Sequence, residues 1–174
     1  MIEFDIRRLG AEPKLSIITA ISPDFTRQID ALQRYLIEWD YLEVEIVAGV
    51  VKDEPFIEQR AKNLAVEHAT ADTIAFTNSG VYPPPSLIEW TDLAVREHPS
   101  VFVQAYRLDC CPDYGVFVNP YAVGDWQAMS KTTFGKIGGY DEEMIAAAWI
   151  DSDFLLRAYN SGIEIAIAPA RVFH

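Results

Sequence analysis

Three short polar groups in this sequence are of types that could take part in chemistry. Asp151 and Asp153 are two carboxylates at the start of a segment with helical spacing, and carboxylates transfer protons in acid–base catalysis. Residues 78–80 (NSG) follow a short apolar run and stop a regular element, which indicates a loop that could serve a function. Cys110 and Cys111 lack the paired spacing of a zinc site, so we interpret them as two buried thiols.

Alternating apolar runs and amphipathic segments predict the elements that carry these groups. Residues 15–21, 44–51 and 73–76 are short, β-branched runs typical of buried strands. Residues 26–39 and 54–69 repeat apolar side chains every three or four positions, as one face of a helix does. This alternation predicts an α/β fold with a mainly parallel twisted sheet and helices on both faces. Ligands of such sheets bind beyond the carboxyl ends of the strands.

The second half of the chain continues the alternation, with one interruption. Residues 86–97 are expected to form a helix and residues 101–108 a strand. Residues 109–127 mix Pro and Gly with aromatic residues, so we expect an irregular loop region there. A helix over residues 151–159 and a strand over residues 163–167 complete the prediction.

Composition limits the compartment and the partners. The 174 residues are half hydrophobic, which suits one domain over residues 1–174. The net charge of −12 opposes binding to nucleic acid, so we expect no nucleic-acid partner. The two adjacent cysteines have no third cysteine to pair with, and no apolar run is long enough to be a transmembrane segment. We therefore expect a cytoplasmic protein, or one that touches a membrane only peripherally.

Two stretches of the chain resemble the family-two glycosyltransferases. Residues 134–174 match the family's C-terminal signature of a glycine pair, an aromatic residue, Asp-Glu, an acidic pair, Arg, Gly and a final His. In this chain the matching residues are Gly138, Gly139, Tyr140, Asp141, Glu142, Asp151, Asp153, Arg157, Gly162 and His174. Residues 59–76 resemble the family's helix and strand that lead into its Asp-x-Asp motif. The resemblance covers about residues 15–174, leaves residues 1–14 as an N-terminal extension, and implies the Rossmann-like, A-type nucleotide-diphospho-sugar transferase fold.

The resemblance also implies an activity and an acceptor side. It implies that the protein transfers a sugar from a nucleotide-diphospho-sugar to a glycan or another hydroxyl acceptor, inverting the anomeric centre, with Asp151 as the base. Trp126, Gly139 and Asp153 would lie on the acceptor side. The family usually has Glu-Asp at the base, whereas this chain has Ile150 before Asp151. The residue types alone allow another interpretation, in which Asp151 only caps the helix.

The donor side departs from the family pattern. By position, the residues expected to face the donor are Ala20, Ser22, Asn63, Asn78 and Gly80. Residues 78–80 supply no pair of carboxylates, so the Asp-x-Asp motif is degenerate and a strong Mn²⁺ or Mg²⁺ site is not expected. His174 matches a metal- or phosphate-contacting His of the family and is the one candidate ligand. The family's acidic residue after the second strand is replaced within residues 48–50.

Two further sets of side chains each allow two interpretations. Cations could replace a metal ion beside a departing phosphate or be ordinary solvated surface, and the candidates are Arg60, Lys62, Lys131 and Lys136. Aromatic rings could pack against a sugar or in the core, and those in the region that the family uses on its acceptor side are Tyr114, Phe117, Tyr121 and Trp126. Two functions stay open: a glycosyltransferase, or a degenerate binding module without metal-dependent donor chemistry.

Overall fold

A seven-stranded sheet forms the centre of the computed structural model, which describes residues 1–41, 43–52, 56–111, 115–119, 123–144 and 149–174. For Cys110, Cys111, Gly115 and Phe117 it describes the backbone alone, so the prediction of two buried thiols falls outside the described side chains. The strands are β1 (Ile2–Leu9), β2 (Leu15–Ile21), β3 (Val44–Val51), β4 (Thr73–Phe76), β5 (Val101–Gln104), β6 (Arg107–Cys111), β7 (Gly115–Asn119), β8 (Gln127–Ser130), β9 (Glu164–Ile167) and β10 (Val172–Phe173).

The central sheet is mostly parallel, as predicted. Its strand order is β1-β3-β2-β4-β8-β5-β9. Strands β2, β3, β4, β5 and β9 run in one direction, and β1 and β8 run in the other. The carboxyl ends of β2, β3 and β4 therefore meet at one edge of the sheet.

Helices cover both faces of the sheet, which confirms the predicted α/β architecture. They are α1 (Thr26–Glu38), α2 (Glu58–His68), α3 (Pro85–Glu97), α4 (Lys131–Ile137) and α5 (Ile150–Asn160). Helices α1 and α3 pack on one apolar cluster, and α2, α4 and α5 pack on the other. Adjacent strand residues divide between the clusters, as Ile17 and Ile18 of β2 do, because successive side chains point to opposite faces. Within the described part of the chain, no helix is both long and apolar enough to cross a membrane.

Three features differ from the sequence-based expectations. The N-terminal extension contains β1, which pairs with β3 along its full length, from Ile2 to Leu9. The strand expected over residues 101–108 is two strands, because the chain leaves the central sheet after Gln104 and enters a second sheet at Arg107. The expectation of an irregular region over residues 109–127 is wrong in part, since it includes β7 and most of β6. Strand β6 pairs with β7 on one side and with β10 on the other, in a three-stranded sheet.

Candidate functional site

A cleft of about 390 Å³ opens at the carboxyl ends of β2 and β4. Its described lining residues are Ala20, Ile21, Ser22, Phe25, Phe56, Glu58, Asn78, Ser79 and Asp151. Asn78 reaches the cleft because Thr77 continues alongside β2, where its N–H donates to the carbonyl of Ile18 at 3.0 Å. Asp151 comes from the first turn of α5. The structure thus brings the predicted base together with Ala20, Ser22 and Asn78 of the predicted donor side.

Gly80 lies beside the cleft rather than in it. It lines a small adjoining cavity of about 10 Å³, which shares Asn78 and Ser79 with the cleft. Its φ of +85° is in the left-handed region that favours glycine, because a Cβ atom there is strained. Gly80 therefore turns the chain after Asn78, and a direct contact with a donor stays a prediction.

A buried ammonium group holds Asp151 in place. Lys62 of α2 is fully buried, and its Nζ lies 3.2 Å from Asp151 Oδ1 and 2.6 Å from Glu58 Oε1. The second oxygen of Asp151 faces the backbone of Gly124, where an added Cβ would lie 1.8 Å from Oδ2. The carboxylate is therefore fixed between a cation and a glycine, and about a fifth of its side chain remains exposed.

Two shifted pKa values describe the charges around this ion pair. Burial by itself lowers the pKa of Lys62, but the carboxylates of Asp151 and Glu58 raise it above its ordinary value. Burial raises the pKa of Tyr140 well above its ordinary value, and the two nearby carboxylates add to the effect although the Lys62 ammonium acts against it. The ammonium is therefore charged and the phenol neutral near neutral pH. The ring of Tyr140 lies 5.0 Å from Lys62 Nζ, within the range of a cation–π contact.

Asn63 positions Tyr140 and does not line the cleft. Its side-chain oxygen accepts from the N–H of Tyr140 at 2.8 Å, and its amide nitrogen donates to the carbonyl of Tyr140 at 2.9 Å. The hydroxyl of Tyr140 donates to Gln127 at 3.1 Å, and Gln127 donates to the backbone carbonyl of Asp151 at 2.9 Å. Asn63 therefore supports Asp151 through Tyr140 and Gln127, and its contact with a donor stays a prediction.

Asp153 and Gly139 join α5 to the turn that follows α4. Arg157 Nε donates to Asp153 Oδ2 at 2.7 Å, so the two side chains pair across one turn of α5. The same guanidinium donates to the carbonyl of Gly139 at 2.7 Å. Neither residue lines the cleft, so their acceptor-side role stays a prediction. Helix α5 has Trp149 as its N-cap and no side-chain capping bond, so capping does not explain Asp151.

Trp126 corrects one prediction of an acceptor contact. Its side chain is fully buried in the apolar cluster that α1 and α3 cover, and its indole N–H donates to Thr91 at 3.1 Å. A ring without exposed surface cannot pack against a sugar, so the alternative of core packing is the correct one. Tyr114, Tyr121 and the side chain of Phe117 lie outside the described residues.

A charged network lies behind Asn78. Its amide nitrogen donates to Asp125 at 3.1 Å, and Arg107 donates to the other oxygen of Asp125 at 2.9 Å. Burial raises the pKa of Asp125, although Arg107 and Asn78 act against that shift. Arg107 also lies 2.7 Å from Asp109, and His174 is 3.7 Å from the same carboxylate.

These residues fit a divalent cation poorly. No three or more His, Cys, Asp or Glu side chains in the described ranges are grouped so as to hold a metal ion. Asp125 and Asp109 are already paired with Arg107, and Asn78 uses its amide nitrogen on Asp125. His174 is half exposed beside the second sheet, next to Asp109 rather than in the cleft. A metal-binding role for His174 stays a hypothesis.

The four candidate cations differ in their surroundings. Arg60 and Lys136 are exposed, as ordinary surface residues are, and Lys131 Nζ donates to the carbonyl of Ala69 at 2.5 Å. Lys62 alone of these four contacts residues that line the cleft. Its partner Glu58 was missed from the sequence, although the spacing of four between the two was a visible signal.

The position after the second predicted strand also needs correction. Residues 48–50, where an acidic residue was judged to be replaced, lie inside β3, which runs through Val51. The chain continues with Lys52 and then with Asp53 and Glu54, which lie outside the described residues. The strand was correctly predicted over residues 44–51, so the position that follows it begins at Lys52 and was placed too early in the chain.

Comparison with known proteins supports the fold. Neither a protein-family model nor a curated protein sequence matches the chain. Staphylococcus aureus TarS (residues 1–349) is similar, with a TM-score of 0.67, 13% identity, and coverage of 92% of this chain and 60% of TarS. The catalytic domain of Drosophila β1,4-galactosyltransferase 7, in complex with xylobiose, has a TM-score of 0.63 and 15% identity over 90% of this chain and 65% of that one.

A third solved structure is also similar to this chain. The mannosyltransferase PcManGT from Pyrobaculum calidifontis, in complex with GDP-Man and Mn²⁺, has a TM-score of 0.58 and 14% identity over 96% of this chain and 58% of that one. At these identities the likeness shows the fold, which is that of the A-type glycosyltransferases. The chain spans about three fifths of the length of these proteins.

Proposed function

We propose that this chain is a glycosyltransferase domain that takes a sugar from a nucleotide-diphospho-sugar and passes it to a hydroxyl acceptor. The observation that carries the proposal is the position of the Asp151 carboxylate, in one cleft with the residues that follow β2 and β4. The A-type fold adds support, because a second TarS structure contains UDP-GlcNAc and the mannosyltransferase structure contains GDP-Man.

In this proposal Asp151 is the base of an inverting transfer. The acceptor oxygen bonds to the anomeric carbon while the bond from that carbon to the diphosphate oxygen breaks. The electron pair leaves with the nucleotide diphosphate, and the hydroxyl proton passes to Asp151. Attack from the face opposite the leaving group inverts the anomeric centre. Lys62 and Gly124 support this step by holding the carboxylate in one orientation.

The donor step is proposed to proceed without a tightly bound divalent cation. Asn78 stands where the family has a carboxylate, and the nearest buried carboxylate, Asp125, is paired with Arg107. Hard divalent cations favour charged oxygen ligands, which this arrangement does not offer them.

A binding module without transfer is the second candidate function. The described residues that line the cleft include two carboxylates, Glu58 and Asp151, and none of them is Lys, Arg or His. Such a lining repels a diphosphate and favours a ligand that is not an anion. A domain of this kind would bind a glycan or another ligand and leave it unchanged.

Calorimetric titration separates the two functions. The protein is titrated with UDP, GDP, UDP-GlcNAc and GDP-Man, in one series with Mn²⁺ and in another with EDTA. Transferase function predicts binding of at least one nucleotide, and the proposed donor step predicts that its Kd changes less than about threefold between the two series. Absence of binding in both series would contradict the transferase and favour the binding module. Binding that requires Mn²⁺ would contradict the metal-independent donor step.

A further inference from the structure

Two carboxylates share a single ammonium group at one end of the cleft. Glu58 and Asp151 both contact Lys62 Nζ, and each keeps about a fifth of its side chain exposed toward the cleft. Lys62 itself is fully buried, so a ligand meets the carboxylates and not the cation. Two negative charges and one positive charge leave this end of the cleft with an excess negative charge.

An exposed aromatic ring that lines the same cleft lies close in the chain to Glu58. Phe56 precedes Glu58 by two residues, lines the same cleft and has 41% of its surface exposed. An exposed phenyl ring offers an apolar face on which a sugar ring can pack. We refer to Phe56, Glu58 and Asp151 together as the carboxylate end of the cleft.

We propose that the carboxylate end is the acceptor site and that it binds an uncharged, hydroxyl-rich sugar. Carboxylates accept strong hydrogen bonds from hydroxyl groups, whereas a second anion placed beside them is repelled. Glu58 supplies the second carboxylate that Ile150 does not provide, and it orients the acceptor while Asp151 takes up the proton. Lys62 is a positioning residue that holds the two carboxylates together. The proposal rests on the proposed transferase function only for the role of the bound sugar as an acceptor.

A binding measurement that needs no turnover tests the charge of the ligand. The whole chain is applied to an array of glycans in matched pairs, each uncharged glycan being printed beside its uronate-bearing or sulfated counterpart. We expect uncharged glycans to bind and their acidic counterparts to bind at least about tenfold more weakly, the size of one charged hydrogen bond. Equal or tighter binding of the acidic glycans would overturn the proposal. Absence of any glycan binding would also overturn it, whatever the nucleotide titration shows.

The Glu58→Gln variant tests whether this residue sets the discrimination. Removal of its charge leaves Asp151 and Lys62 balanced, so the preference for uncharged over acidic glycans should fall by at least about threefold. A merely structural role would weaken both classes equally and leave their ratio unchanged, which would contradict the assignment. Glu97→Gln, at the exposed end of α3, is the matched control and should retain the wild-type ratio. Thermal unfolding of both variants checks that each is folded.

Discussion

At the scale of single residues, Asp151 is held by contacts on opposite sides of its carboxylate. Lys62 binds one oxygen, and the other oxygen lies where the side chain of any residue but glycine at position 124 would be. Gln127 binds the backbone carbonyl of Asp151 and is itself bound by Tyr140, so the support extends to a second layer. The orientation of the Asp151 carboxylate is thus fixed by the residues that surround it.

Substitution of Gly124 by Ala should displace the proposed base. The new Cβ would lie 1.8 Å from Asp151 Oδ2 and 2.9 Å from its Cβ, so the carboxylate must move from its present position. A shift of this size should lower the transfer rate by roughly a hundredfold while donor affinity changes little. Steady-state kinetics and calorimetry measure the two quantities. Gly135→Ala, with open space around the added Cβ, is the control, and an equal loss of rate in both variants would contradict the expected effect.

The sequence predicted one part of the site and not the other, for a physical reason. Asp151 and the residues after β2 and β4 were identified through the resemblance to the family-two glycosyltransferases, and local periodicity placed them at a helix start and at strand ends. The spacing of Glu58 and Lys62 indicated an ion pair, but the position of that pair in the cleft depends on how α2 packs against the sheet, which local sequence does not show. Trp126 was misplaced for the same reason, since an aromatic residue among glycines and prolines has no periodicity to show that it is buried.

At the scale of elements, a buried glutamate ties together the chain around β2, β3 and β4. Glu45 of β3 is fully buried, and its carboxylate accepts from Ser16 of β2 at 2.6 Å. The same carboxylate accepts from the N–H groups of Thr70 and Ala71, just before β4. The cleft opens at the other ends of β2 and β4, so Glu45 contributes to the alignment of the site from the opposite edge of the sheet.

Glu45 should make stability depend on acid pH. Burial acts to raise its pKa, but hydrogen bonds from Ser16, Thr70 and Ala71 outweigh burial and lower it. Its stabilisation is therefore present above the unfolded-state pKa of about 4.3 and is lost as pH falls through the lower folded-state pKa. Glu45→Gln should lower the free energy of unfolding by roughly 1–3 kcal/mol at pH 7, and by less in strong acid. Urea unfolding of wild type and variant, at pH 7 and in strong acid, measures the two losses of free energy. An equal loss under both conditions would contradict the prediction.

The elements themselves were predicted wherever periodicity was sustained. The apolar runs of β2 and β3 and the apolar face of α1 gave the correct type and nearly the correct bounds. The break after Gln104 was missed because alternation continues through residues 101–108 while the chain changes sheets. No glycine or proline marks that break, so only the pairing of β6 with β7 and β10 shows it.

At the scale of the whole molecule, charge sets the main condition on function. The chain has a net charge of −12, and the described lining of its cleft adds two carboxylates and no exposed cation. A nucleotide diphosphate must bind against this field, whereas an uncharged sugar does not experience it. The charge of the cleft therefore opposes the nucleotide donor of the proposed reaction and favours an uncharged acceptor.

The Asp151→Asn variant tests directly whether Asp151 is the base of a sugar transfer. The base acts on the acceptor, so the variant should lose transfer by roughly 10²–10⁴-fold while its Kd for the donor nucleotide stays within about threefold of wild type. Asp72→Asn is the matched control, because Asp72 is exposed and directly precedes β4, at the end of that strand away from the cleft. This variant should leave both quantities unchanged. Parallel loss of transfer and donor affinity in Asp151→Asn, or unaltered transfer, would contradict the claim.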